Sequence, residues 1–230
     1  MNELNGVNEG ELGRMGQVWG LPHVAMLAKS PFRLGILSRH QMEVIVHETG
    51  PLFAHGLLCV HVLNTTICLT HLNPQDGKRR QMEARAIVSL TPPPPSTFML
   101  LGDMNTLSPL DETFHNQQAL ADKILSGPNA GPLARKFLDS RKRKVNYAPM
   151  QELLKGGLRD VGEGGGETVP TLLVPDQMHF TKLRLDYCLV NVGMMQSCGG
   201  QHHRIRARTV RDRAVSTLSD HYPIHVEFEA

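Results

Sequence analysis

Four short polar clusters in this chain carry side chains suited to phosphate or metal chemistry, and each adjoins an apolar run. Leu100-Leu101-Gly102-Asp103-Met104-Asn105 sets a carboxylate and, two residues on, a carboxamide at the end of an apolar segment. On an extended chain such residues point the same way. The acid can then hold a metal or activate water, while the amide donates to a phosphoryl oxygen without adding negative charge. Taken alone, a turn built from Asp and Asn accounts for these residues equally well. Leu185-Asp186-Tyr187-Cys188-Leu189-Val190 places one carboxylate in an apolar run, which is costly unless the acid is paired or reaches solvent. Ser219-Asp220-His221-Tyr222-Pro223 joins an acid to an imidazole, a pairing suited to metal binding with proton transfer. Adjacent Asp and His also arise by chance. Thr70-His71-Leu72 adds an imidazole able to contact a phosphate or donate a proton, in a chain with 12 histidines, where a lone one is more often structural.

The elements that must position these clusters are legible from periodicity. Leu12, Met15, Val18 and Trp19 have helical spacing over 11–19 and stop at Gly20-Leu21-Pro22. Segments 34–37 and 43–47 are short and apolar. Segments 57–63 and 66–70 form a strand pair turning at Asn64 and Thr65. Segment 79–90 is an amphipathic helix, followed by four prolines that force an extended linker into the buried strand 97–101. Segments 118–125 and 132–138 are helical, Gly162–Gly166 is a flexible loop, and 185–192 and 223–228 are strands. A strand pair with so short a turn argues against a purely parallel sheet and for a mixed or antiparallel α/β sandwich.

Taken together and in order, the clusters resemble the endonuclease/exonuclease/phosphatase (DNase-I-like) superfamily. Its strand ending in His-Leu, its Gly-Asp-Phe-Asn, its Asp-Tyr or Asp-His strand and its C-terminal Ser-Asp-His have counterparts in Thr70-His71-Leu72, Gly102-Asp103-Met104-Asn105, Asp186-Tyr187 and Ser219-Asp220-His221. Met104 stands where the family has Phe. Gly35-Ile36-Leu37-Ser38-Arg39 and Phe53-Ala54-His55-Gly56-Leu57-Leu58 also fit strand segments of the family, and the resemblance covers nearly the whole chain. Met1-Asn2-Glu3-Leu4 is similar to the family's strand ending in a metal-binding Glu, whereas the strand expected before it, with a functional Asn, has no counterpart.

The resemblance implies a single domain over 1–230, lacking its first strand, folded as a four-layer α/β sandwich: two mixed or antiparallel sheets face to face, helices outside. It also implies a phosphoesterase dependent on Mg²⁺ or Mn²⁺, ions that favour oxygen ligands. Glu3 and Asp220 would hold the metal, Asp103 would orient or deprotonate water, and Asn105 would bind phosphoryl oxygens. Asp186 would pair with His221, and His71 would be the opposing imidazole.

Composition limits the alternatives. A formal net charge of +2 does not by itself mark a nucleic-acid binder. The basic residues Arg135, Lys136 and Arg141–Lys144, and the arginines at 204, 206, 208, 211 and 213, suit a phosphate backbone or simply a solvated face. The expected partner is a phosphate-ester substrate, nucleic acid included, and no membrane. Cys59, Cys68 and Cys188 lie in apolar runs, where free cysteine is a small core residue, and no CxxC spacing occurs among the four cysteines. With no signal peptide in Met1–Gly10, free thiols point to an intracellular location, cytoplasmic or nuclear, unless a targeting segment lies upstream. The rival readings are a catalytically impaired binding or scaffold protein that keeps the fold and, more weakly, a zinc hydrolase, for which neither HExxH nor Cys/His ligand spacing is present.

Overall fold

The computed structural model describes residues 1–141, 143–173, 180–198 and 205–228. In chain order the elements are α1 (Glu9–Val18), β1 (His23–Leu27), β2 (Leu34–Ser38), β3 (Glu43–Glu48), β4 (Leu57–Val62), β5 (Thr65–His71), α2 (Gly77–Leu90) and β6 (Thr97–Asp103). After a 3₁₀ turn come α3 (Glu112–Gln117), α4 (Leu120–Ser126), α5 (Ala130–Phe137) and α6 (Ala148–Lys155). The chain then adds β7 (Arg159–Asp160), β8 (Asp186–Val190), α7 (Val192–Ser197), β9 (Ile205–Thr209) and β10 (Ile224–Phe228).

The central sheet has six strands in the order β3-β4-β5-β6-β8-β7. Among the described residues only β5 and β6 run parallel, because α2 crosses between them, as a parallel pair requires. The second layer is formed by two antiparallel hairpins, β1-β2 and β9-β10. Ala25, Leu27 and Leu34 of the first hairpin pack with Leu58, Val60 and Leu69 of the central sheet. Ile205, Ala207, Ile224 and Val226 of the second pack with Met99, Cys188 and Val190. Gly16 of α1 sits against Leu37, so this helix covers the outer side of the first hairpin. On the opposite face of the central sheet, Ala84 and Ile87 of α2 and Met150 and Leu153 of α6 enclose Phe98, Leu100 and Tyr187. The expected layering of helix, sheet, sheet and helix is thus present.

Several details depart from the reading of the sequence. The β4-β5 turn falls on Leu63 and Asn64, both with positive φ, one residue earlier than expected. Residues 1–4 form no strand, although Met1 exchanges two backbone hydrogen bonds with Gly35 of β2. Cys59 and Cys68 are not free thiols but a disulfide. They are direct partners across β4 and β5, with Cα atoms 4.0 Å apart, equidistant from the turn that brings them together. Cys188 and Cys198 are free and buried. The inference of a reducing location therefore loses its premise; among the described residues no helix is long and apolar enough to cross a membrane. Lys142 and Arg204, two of the basic residues suited to a phosphate backbone, lie outside the described residues.

Gly102 bears directly on the site. Its φ is +135°, and a Cβ there would lie 1.9 Å from the Thr70 carbonyl oxygen of the adjoining strand. Substituting Gly102→Ala forces β5 and β6 apart next to His71 and Asp103. The expected result is a loss of about 2–4 kcal/mol of stability, measured by denaturant unfolding.

Candidate active site

Strand register assembles the centre of the site. His71 at the end of β5 is the direct partner of Asp103 at the end of β6. Asp103 is in turn the partner of Asp186 at the start of β8. Partners on adjacent strands project to the same face, so three neighbouring strands present His71, Asp103 and Asp186 side by side. The clusters seen separately in the sequence are one row.

Beyond Asp103 the chain leaves the sheet. Asn105 has φ +47°, so it is not the second residue of an extended pair, as its spacing had implied. Its backbone N–H donates to Asp103 Oδ1 at 2.7 Å and its Nδ2 to the Leu72 carbonyl at 3.1 Å. Leu72 N–H donates to the Asp103 carbonyl at 3.0 Å. One amide hydrogen of Asn105 is thus spent on fixing the loop and the other remains for a ligand. Tyr187 is buried and donates its hydroxyl to the Arg184 carbonyl at 2.8 Å, bracing the strand that carries Asp186.

Asp186 Oδ2 and His221 Nδ1 are 2.7 Å apart. Burial works against a charged imidazole at His221, but the adjacent Asp186, with Asp103 and Asp220 farther off, outweighs it and raises the pKa to about 10. Without a cation present, His221 is an imidazolium at neutral pH. Burial likewise opposes the charge on Asp103, yet His71, His221, Lys136 and the Asn105 N–H together hold its carboxyl below the usual range, so it is ionised. His71 is buried between two acids, with Nε2 3.4 Å from Asp103 Oδ2 and Nδ1 3.8 Å from Glu3 Oε1.

Glu3 reaches this row from the start of the chain and Asp220 from the segment before β10, and both line a cleft of about 600 Å³ shared with His71, Asp103, Asn105 and His221. Burial, then the like charges of Asp220 and Asp103, push the Glu3 carboxyl up against the opposing pull of His71 and His221. Crowded carboxylates of this kind suit a hard divalent cation, which relieves the repulsion and takes oxygen ligands. Asp103, Asp186 and His221 also offer ligand atoms within 4.8 Å of one another. Asp186 and His221 of that set are also joined by their short bond, and Glu3 and Asp220 bring further carboxylates to the cleft beside them.

All seven residues singled out in the sequence therefore reach one region. The sequence reading missed His55, which is buried beside His71 with ring centroids 4.5 Å apart, and did not place Arg135 and Lys136 in the wall of the same cleft. The remote basic residues are elsewhere: Arg208 pairs loosely with Glu227 and Arg211 with Glu167.

The profile of the Endonuclease/Exonuclease/phosphatase family matches residues 7–221. No curated protein matches the chain. Among solved structures, an AP endonuclease from Archaeoglobus fulgidus is similar at a TM-score of 0.64 and 16% identity, covering 99% of this chain and 85% of the other. The 3′-5′ exonuclease NExo from Neisseria meningitidis is similar at 0.60 and 15%, covering 95% and 83%. A 3′ phosphatase NExo (D146N) from Neisseria, bound to a product DNA hairpin, is similar at 0.61 and 17%, covering 99% and 86%.

The Asp186–His221 pair makes a pH-dependent prediction. The folded-state pKa of about 10 lies above the ordinary imidazole value of 6.5. The pair's contribution to stability is therefore full below about pH 6.5 and is lost as pH rises through about 10. In Asp186→Asn the His221 resonance is expected to titrate markedly lower by NMR, and the alkaline loss of stability in metal-free protein to shrink.

Proposed function

Because this chain belongs to the endonuclease/exonuclease/phosphatase family, matched over residues 7–221, we propose that it is a divalent-metal-dependent phosphoesterase that cleaves phosphodiester bonds, nucleic acid among its substrates. The observation that carries this reading is the row His71–Asp103–Asp186, closed by His221 on Asp186 at 2.7 Å and faced by Glu3 and Asp220 across one cleft. Similar folds named as an AP endonuclease and as a DNA-bound 3′ phosphatase favour nucleic acid and extend the reading to phosphomonoesters at strand ends. A binding or scaffold role gains nothing from keeping every one of these groups in register.

The roles follow from the surroundings of each group. Glu3 and Asp220 would hold Mg²⁺ or Mn²⁺, with Asp103 lining the same cleft. When bound, the cation supplies charge neutralisation at the phosphoryl group and at the leaving oxygen. His221, oriented by Asp186 at 2.7 Å, donates a hydrogen bond to a phosphoryl oxygen and stabilises the extra negative charge of the transition state. The spare N–H of Asn105 donates to another. Asp103, ionised and fixed by the Asn105 N–H, accepts a hydrogen bond from the attacking water and aligns it. His71, on the opposite side of Asp103 from Asp186, protonates the departing oxygen.

Hydrolysis of bis(p-nitrophenyl) phosphate with and without Mg²⁺ or Mn²⁺ tests the proposal. Turnover is expected only with the ion, abolished in Asp220→Ala, and reduced roughly 10²–10⁴-fold in His221→Ala, with circular dichroism unchanged. Fully active Asp220→Ala or His221→Ala protein, or the absence of metal-dependent turnover on this ester and on DNA, would overturn the reading.

A further inference from the structure

The strand that carries Asp186 has a short neighbour on one side. β8 pairs with β6 from Asp186 to Val190, whereas β7 reaches only Val190 and Leu189. Among the described residues no strand continues β7 toward Asp186. The N–H groups of Leu185 and Asp186 are instead taken up by one side chain: Thr168 Oγ1 accepts from them at 3.0 and 3.3 Å. Thr168 is fully buried, and buried N–H groups need an acceptor. Its hydroxyl therefore does here what the carbonyl of a neighbouring strand would do.

The same residue reaches the segment of His221. The Thr168 carbonyl accepts from the N–H of Tyr222, the next residue after His221, at 2.8 Å. Farther along, Thr171 Oγ1 donates to the Ser219 carbonyl at 2.5 Å and Leu172 N–H to the Ser216 carbonyl at 2.9 Å. Segment 168–172 thus grips Asp220-His221 from both ends, at Ser219 and at Tyr222, while its first residue holds Asp186. The segment is itself anchored ahead of β8. The N–H groups of Thr168 and Val169 donate to the Leu183 carbonyl at 2.8 and 3.0 Å, and Leu183 N–H donates to the Val169 carbonyl at 3.0 Å. The Val169 side chain is buried with Leu183 and Leu185.

Asp186 and His221 need such a link. Asp186 opens β8 in the central sheet, whereas His221 precedes β10, which pairs with β9 in the second layer. Strand register aligns Asp186 with Asp103 but does not set its distance from His221. Their contact is 2.7 Å long. A carboxylate can only accept, so the proton of this bond comes from the imidazole Nδ1. A bond so short and directional weakens steeply when either partner is displaced. Thr168 is hydrogen-bonded to the backbone of both segments, which is the kind of supporting contact that holds reacting groups in place.

We propose that Thr168 is a positioning residue of the reaction: its hydroxyl on the Leu185 and Asp186 N–H groups and its carbonyl on the Tyr222 N–H hold Asp186 and His221 at bonding distance. Thr168 does not line the cleft and acts through those two side chains. Its part in turnover rests on the phosphoesterase reading, whereas the distance that it sets does not. A threonine suits the place because its hydroxyl oxygen has two lone pairs for two N–H groups. Valine, of nearly the same shape, has none.

Three variants test this. Thr168→Val keeps the shape and removes the acceptor, and Thr168→Ser keeps the acceptor and removes the methyl group. Val169→Ala, in the same segment and equally buried, controls for loss of packing. The readout independent of turnover is the far-downfield NMR resonance of the His221 Nδ1 proton on Asp186 in metal-free protein, assigned by its disappearance in His221→Gln. It is expected in the wild type, in Thr168→Ser and in Val169→Ala, and is expected to move upfield or vanish in Thr168→Val. With bis(p-nitrophenyl) phosphate and Mg²⁺, kcat is expected to fall about ten-fold or more in Thr168→Val, as slight misplacement at a reacting centre produces. KM is expected to change little, and Thr168→Ser to recover the rate. Should Thr168→Val not fold, Thr168→Ala takes its place. A folded Thr168→Val with the resonance and kcat of the wild type, an equal loss in Val169→Ala, a loss not recovered in Thr168→Ser, or wild-type protein without the resonance overturns the proposal. A resonance that responds as expected, in protein that hydrolyses neither this ester nor DNA with the ion, supports the placing of the pair by Thr168 and overturns the phosphoesterase reading instead.

Discussion

β6 pairs in parallel with β5 on one side and antiparallel with β8 on the other, and the alignment of its last residue decides everything at the site. His71, Asp103 and Asp186 come from segments far apart in the chain, yet they sit on consecutive strands at the same level of the sheet. A slip of one residue in either pairing would turn a side chain to the opposite face. The apolar surroundings oppose such a slip: Leu100 and Leu189 lie on the face covered by α2 and α6, while Met99, Cys188 and Val190 lie on the face covered by the second hairpin. The Asn105 N–H on Asp103 and the Leu72 N–H on the Asp103 carbonyl then stop the strand at a defined residue. Core packing here is what converts three scattered polar residues into one row at the strand ends.

The row is electrostatically asymmetric. On the Asp186 side a short bond keeps His221 charged. On the other side His71 stands between Asp103 and Glu3 at longer distances of 3.4 and 3.8 Å. The two imidazoles differ in what holds them: one short bond for His221, two longer contacts to acids for His71. Glu3 and Asp220 add negative charge from the two ends of the sequence, and the excess is of the kind that a divalent cation balances.

Much of this arrangement is legible in the amino-acid sequence. Asp103 and Asp186 stand out because one ends and the other interrupts a short run of apolar residues, a pattern that fits a buried strand. The features that the sequence conceals share a different trait: their signal is pairwise. Cys59 and Cys68 are equidistant from the Leu63-Asn64 turn, a symmetry invisible until the exact turn is known. β9 alternates buried Ile205 with exposed Arg206 and Arg208, and its arginines read as a basic patch rather than as the outer face of a strand. His55 and Lys136 owe their positions to Glu83 and Arg80, charged residues on a helix that looks like any amphipathic one. Charges buried to hold loops cannot be told by type from charges facing water.

Between β6 and β7 the chain makes a long helical excursion, α3 to α6, before β8 returns to the strand it left. Arg135 and Lys136 lie on that excursion, whereas His71, Asp103 and Asp186 lie on the sheet. The row of polar groups at the strand ends and one wall of the cleft are therefore encoded in separable stretches of polypeptide. An insertion, deletion or graft within the excursion can reshape that wall while the strand register stays untouched, so the wall and the row can change independently of each other.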